Sequence, residues 1–212
     1  MSERILAQHS QSAQGETLDV MWEPIPPPGL EHLRLTIGPT EIIAASMIIG
    51  VWDDAPFHLR YEIRCDEQWR MRELQCEMLS TTFAQFPTAS LHLLSDGEGH
   101  WTNATDEPQP VFDGCIDVDI MATPFTNTLP IRRLKLAQGE SQQLAMVYVA
   151  LPDLAVSRME QRYTCVKHSR KAGDFTGRYR YESVASGYTA LLDVEGMGLV
   201  TTYPDLYAWV WP

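Results

Sequence analysis

The sequence predicts an all-β protein, a single large curled antiparallel sheet or a barrel or half-barrel, with one or two short helices. Three observations carry this expectation. Apolar residues recur with a period of two through most of the chain, the pattern of strands whose two faces meet different surroundings. Turn signals rich in Gly and Asp separate the alternating runs at short intervals, and strands joined by short turns form antiparallel meanders. Long amphipathic helical patterns between the runs, which a doubly wound α/β fold requires, are missing.

Taken in order, residues 1–18 read as a flexible N-terminal tail and residues 19–212 as a single β-rich domain. Four prolines between Pro24 and Pro28 make a stiff, extended lead-in. "FHLRYEIRCD" then places Phe57, Leu59, Tyr61 and Ile63 on one face, with His58, Arg60, Glu62 and Arg64 on the other. Ser80 to Phe86 is one candidate short helix, and "NTLPIRRL", with Pro130 in a first turn, is the second. "CIDVDI" sets Ile116, Val118 and Ile120 against Asp117 and Asp119, and Asp113-Gly114 makes the turn before it. Late in the chain, Tyr188, Ala190, Leu192 and Val194 oppose Thr189, Leu191 and Asp193. Turns fall at "DGEG", "QGE", "KAGD" and "EGMG". About ten or more such strands favour a barrel or a strongly curled sheet.

Composition narrows the function. Sixteen basic against twenty-eight acidic residues give a net charge of −12, which repels phosphate backbones and argues against a nucleic-acid partner. The longest uncharged apolar stretch, Ile42 to Trp52, is about half the roughly 20 residues that a spanning helix needs, so stable membrane insertion is not expected. The N-terminus lacks an export signal, which points to the cytoplasm. The spacing of Cys65, Cys76, Cys115 and Cys165 contains no C-x-x-C, so free, mostly buried thiols are expected rather than a zinc site.

The most distinctive stretch is "DGCIDVDIMATPFTNTLPIRRL", residues 113 to 134. Two residues apart on a strand, Asp117 and Asp119 share a face and could bind Mg²⁺ or Mn²⁺. The alternative is a solvated face or pairing with Arg60, Arg64, Arg70 or Arg72. Arginines from several strands could instead converge on the concave face of a curled sheet and clamp a carboxylate, a phosphate or sugar hydroxyls. Trp69, Trp101, Tyr163, Tyr179, Tyr181, Tyr203, Tyr207 and Trp209 supply rings with polar edges, suited to cores and to cavities alike. G-x-S-x-G, H-E-x-x-H and a phosphate-cradling glycine loop are all missing, so no catalytic residue, metal or cofactor is assigned. The histidines are scattered, and His92 and His100 straddle one hairpin turn.

Five strings together, "YEIRCDEQWRMR" (61–72), "DGEGHW" (96–101), "GCIDVDIMATPFTNTLPIRRL" (114–134), "YRYES" (179–183) and "GLVTTYPDLY" (198–207), resemble a bacterial family named for glycolipid binding. "TPFTNTLPIRRL" is the most specific of them, and the resemblance covers about residues 20 to 210. It implies a single β-rich domain, similar in outline to exported lipoprotein carriers that hold acyl chains in an apolar hollow. The family names no established catalytic residues. The implied function is the binding of an amphipathic molecule, a glycolipid or lipid, in a sheet-lined cavity. Its expected contacts are Arg60, Trp69, Arg70, Arg72, Trp101, Asp117, Asp119, Asn127, Arg132, Arg133, Tyr179 and Tyr181. The alternative is an enzyme acting on a sugar or lipid through Asp117 and Asp119, and a filled barrel with a structural role is a third. On the binding reading the 113–134 stretch is a strand and rigid loop at the mouth of the hollow. Thr126, Asn127 and Thr128 would cap the next turn, and Arg132 and Arg133 would reach back to Asp117, Asp119 or Glu62.

Overall fold

The computed structural model describes residues 10–12, 15–26, 28–79, 88–169 and 171–211; the candidate helix at Ser80–Phe86 lies outside them. The first half of the chain contributes β1 (Ser10–Ser12), β2 (Gly15–Pro24), β3 (Gly29–Ile37), β4 (Glu41–Trp52) and β5 (Ala55–Asp66). It continues with β6 (Met71–Leu79), β7 (Ala89–Ser95) and β8 (Trp101–Asn103), and β9 (Asp117–Ile120) follows just past the midpoint. The second half contributes β10 (Ser141–Val149), β11 (Val156–His168), β12 (Gly177–Ser183), β13 (Thr189–Val194), β14 (Val200–Tyr203) and β15 (Tyr207–Trp211). The one α-helix among the described residues, α1 (Thr128–Leu134), follows a 3-10 turn at Phe125–Asn127.

All the strands belong to one sheet, ordered β8-β7-β6-β5-β4-β3-β2-β15-β14-β13-β12-β11-β10-β9, with β1 paired to β2 off this path. Two meanders are therefore sewn together where β15 meets β2, at Trp209 opposite Trp22. Every neighbour is antiparallel except the pair β9–β10. The alternation sets the inward face as expected: Phe57, Leu59, Tyr61 and Ile63 are buried, as are Ala190, Leu192 and Val194. Tyr188 departs from it. This ring is 42% exposed, because it sits in the turn before β13 rather than on the strand.

The sheet does not close, so a complete barrel is ruled out. Its edge strands, β8 and β9, span three and four residues, too short to pair across the gap. The connecting segment bridges them by single bonds instead. The indole of Trp101 donates to the Cys115 carbonyl (2.7 Å) and the Gly114 amide donates to the Gly99 carbonyl (2.9 Å). A Cβ at Gly99 would lie 2.9 Å from the Gly114 backbone, and both residues have positive φ (97° and 84°), so this crossing is built on glycine.

The hollow of the sheet is filled by the segment 122–131, every residue of which is buried. Phe125 and Leu129 join the apolar cluster of β2–β6, whereas Ile131 joins the cluster of β11–β14. The helix thus forms a plug between the two meanders. Pro130 occupies its first turn, where no backbone donor is needed. Its lead-in is capped by the Thr123 hydroxyl, which accepts from the Phe125 amide at 3.0 Å. Thr126, Asn127 and Thr128 do not cap it: the Asn127 side chain makes no capping bond, because it is already committed to the core. The strand β9 is buried on both sides, with Asp117 on one and Val118 on the other.

Candidate ligand-binding site

A cavity of about 290 Å³ opens where β2 ends, β3 begins and β4 turns into β5. Trp22, Ile48, Trp52, Phe57, Leu151 and Tyr207 line it, and the proline-rich lead-in crosses it. Ile25, Leu30, Ile49, Val51 and Leu206 stand exposed around its mouth. The "IIAASMIIGVW" stretch explains two of them. As strand β4 it buries Ile42, Ala44, Ser46 and Ile48 and turns Ile49 and Val51 outward, so apolar residues face water here. Such a concentration of exposed apolar side chains marks a site of interaction.

One acid interrupts the apolar wall. Glu31 lies on the inward parity of β3 with Leu33 and Leu35 and is 2% exposed. Its Oε1 accepts three hydroxyl donors, from Tyr61 (2.7 Å), Ser46 (2.8 Å) and Thr123 (2.9 Å). Its Oε2 has no partner among the described residues. Burial pushes the carboxyl up to about 7, against the pull of those three hydrogen bonds. Near neutral pH both forms are therefore populated. Because Oε1 is occupied by donors, Oε2 carries the proton in the neutral form and is the free acceptor in the ionised one.

The 113–134 stretch builds a different kind of site, a polar network beneath α1. Asp117 is fully buried and grips Arg133, whose Nε lies 3.1 and 3.2 Å from its two oxygens and whose Nη2 donates to Oδ2. Asp119 has no cation beside it among the described residues. Its oxygens accept from Gln161 (2.6 Å) and Thr126 (3.1 Å), and burial raises its carboxyl above the ordinary value. Asn127 accepts from the Tyr163 hydroxyl at 2.9 Å and donates to the Pro124 carbonyl. Beyond Tyr163, the rings of Tyr181, Tyr203 and Tyr207 follow in steeply inclined contacts, with centroids 5.6 to 6.4 Å apart.

The twelve residues expected to meet a ligand thus separate into three groups. Asp117, Asp119, Asn127, Arg133 and Tyr181 belong to this network or its tyrosine row. Trp69, Arg132 and Tyr179 line a second pocket, of about 500 Å³. The other four lie elsewhere. Arg60 is on the outer face with Glu77, Arg70 pairs with Asp66 and Glu98, Arg72 is exposed, and Trp101 is buried at the edge crossing. Of the three acids expected for the arginines, Arg133 meets Asp117, Asp119 is left without a cation among the described residues, and Glu62 is taken by Arg64. Arg132 turns away from the acids altogether and stacks between Trp69 (4.6 Å) and Phe175 (4.5 Å). Nor do the arginines near the β5–β6 hairpin serve Asp117 or Asp119. His92 and His100 pair with Glu73 and Asp96 rather than with each other, and all four cysteines are free and buried. Among the described residues no three potential ligands cluster to hold a metal ion, and no helix is long and apolar enough to cross a membrane.

Glu31 escaped the sequence reading, although its signal was present: an acid on the apolar parity of "LEHLRL". The comparisons with known proteins agree with the resemblance. A family model described as "Putative glycolipid-binding" matches residues 19–208. The crystal structure of a DUF1089 family protein from Pseudomonas aeruginosa is 35% identical, with a TM-score of 0.74 over 87% of this chain and 94% of that one. No curated protein matches. The family match runs from within β2 to within β15 and so takes in both meanders and the plug. The chain belongs to this glycolipid-binding-type family.

Proposed function

We propose that the protein is a non-catalytic binder of an amphipathic molecule, a glycolipid or lipid, held at the cavity above Glu31. The observation that carries this is an apolar cavity whose wall contains one buried carboxyl with an unpartnered oxygen. The space matches roughly ten water-sized volumes, enough for a short alkyl segment, and each buried methylene contributes about 0.8 kcal/mol. A sugar hydroxyl or amide near the chain would satisfy Oε2 and lift the cost of leaving it bare. The enzymatic alternative has no observation in its favour, since Asp117 is locked under Arg133. Four free buried thiols suit a reducing compartment such as the cytoplasm. The same reading treats residues 19–212 as one domain, supported by the single sheet that runs through it.

The test is calorimetric titration with octyl glucoside below its micelle concentration. Saturable binding is expected, lost when Ile48→Trp or Leu151→Phe fills the cavity in a variant that keeps the wild-type circular dichroism. Binding that is absent from the native protein, or untouched in both filled variants, would sink the proposal.

A further inference from the structure

A second pocket lies at the other end of the strands. β2 runs from Glu16, beside the 171–174 turn, to Pro24, beside the Glu31 cavity, eight residues or about 26 Å. Trp69, Arg132, Lys135, His168, Lys171 and Phe175 line this pocket. Its charge is unusual for this molecule. The chain has only three lysines, at 135, 167 and 171, against a net charge of −12, and two of the three stand here with an arginine and a histidine.

Arg132 differs from the chain's ion-paired arginines. Arg34, Arg60, Arg64, Arg70, Arg133, Arg158, Arg162 and Arg178 all sit against carboxylates. Arg132 forms no ion pair among the described residues. Its two flat faces are covered by Trp69 and Phe175, which fixes the plane of the guanidinium. One edge nitrogen, Nη1, donates to the Met197 carbonyl (3.1 Å), while Nε is buried without a partner. Gly198 backs its stem so closely that a Cβ there would lie 2.8 Å from Arg132 Cδ. Such a group keeps its charge but has surrendered water, and burial lowers its pKa, opposed by Glu195 and Glu16 at longer range. Of the two acids in the pocket wall, Glu67 is exposed, while Asp174 accepts from the Thr176 amide within its own turn and also lies within electrostatic reach of Lys171.

We infer that this pocket is an anion subsite, taking the carboxylate or phosphate group of a small acidic ligand on Arg132, Lys135 and Lys171. A guanidinium whose plane is held by two rings, with Nη1 taken by Met197 and Nε enclosed, points its remaining nitrogen, Nη2, in a fixed direction, which suits one oxygen of an oxyanion. The lysines add charge without fixed geometry, and the Tyr179 ring and Ser169 complete the wall. The net acidity of the rest of the surface disfavours an anionic membrane as the source, so the ligand is a soluble molecule.

The experiment titrates the full chain calorimetrically with inorganic phosphate in one arm and glucuronate in the other, at ionic strength held constant with chloride. Saturable binding in at least one arm is expected, and the arm that binds identifies the oxyanion. Lys135→Gln with Lys171→Gln, both at exposed positions, should keep the unfolding temperature and weaken that binding at least about tenfold. Heats of dilution alone in both arms overturn the inference, as does an affinity unchanged in the double variant. The two pockets share no lining residue, so a failure of octyl glucoside to bind leaves this titration readable by itself.

Discussion

Two buried acids in this molecule are handled in opposite ways. Asp117 is fully enclosed and held in the fork of Arg133, so its charge is matched where it lies. Glu31 is equally enclosed and receives three neutral hydroxyls on one oxygen, with nothing on the other. A matched charge is complete and can serve the fold alone. An unmatched one beside an open apolar cavity is a cost the fold carries without structural return. The contrast shifts attention from the sequence's most conspicuous acids to one that hides among leucines.

The largest effect should come from breaking the matched pair. Asp117→Ala leaves the Arg133 guanidinium without its partner in a poorly hydrated place, and such losses typically cost about 3 to 5 kcal/mol. Arg133→Ala should cost nearly as much, and the double variant far less than the sum, since both charges then leave together. Urea unfolding of the three variants measures this; additive losses would show that the pair is not the unit it looks to be.

A somewhat smaller effect of opposite sign is expected at Glu31, and pH exposes it. The folded protein raises this carboxyl from an ordinary 4.5 to about 7, so it holds the proton after the unfolded chain has released it. The native state is therefore favoured below about pH 4.5 and loses that advantage as pH rises to about 7. A gap of this size corresponds to about 3 kcal/mol. Glu31→Gln should match wild type near pH 4 and exceed it by about that amount at pH 8. Unfolding midpoints across the range decide it, and parallel curves for the two proteins would mean that Glu31 does not titrate in the cavity wall.

Asp119 sharpens the comparison from between the two. It is half-buried rather than enclosed like Asp117 and lacks a cation like Glu31, but Gln161 and Thr126 serve both of its oxygens. Asp119→Asn keeps one acceptor for Gln161, lets the Thr126 hydroxyl turn to accept from the new amide, and removes a desolvated charge, so stability should change by no more than about 1 kcal/mol. Thermal unfolding at pH 7 measures it, and a loss as large as that of Asp117→Ala would place Asp119 in the ion-paired network after all.

Much of this architecture is legible in the residue order. Period-two alternation identified the inward faces of β5 and β13, and Pro130 placed α1 to within a residue. Arg133 was correctly sent back toward the acids, because a helix following a strand through a short loop leaves few other carboxylates in reach. What stayed hidden depends on how distant strands meet. Whether the sheet closes is decided by two edge strands too short to pair, and alternation carries no information about that. The partner of Arg132 was misassigned because Trp69 and Phe175 come from two turns more than a hundred residues apart. The resemblance to a family covered the whole fold but carried no ligand residues with it, so Glu31 had to be found from its surroundings.

The seam between β2 and β15 has a consequence for how the molecule is made. The indole of Trp22 donates to the Val200 carbonyl across 178 positions of chain, and its ring meets that of Trp209 edge to face. The middle of the sheet is thus completed by the strand that comes last in chain order among those of the sheet. The first meander can assemble by local hairpins during synthesis, but it waits with an open central edge until residue 207 emerges. Folding that depends on such distant pairing is slow, and an uncovered edge in the meantime is a point where nascent chains can stick to one another. Deleting β15 would therefore split the sheet at its centre, an injury far greater than the fraying that follows loss of an edge strand.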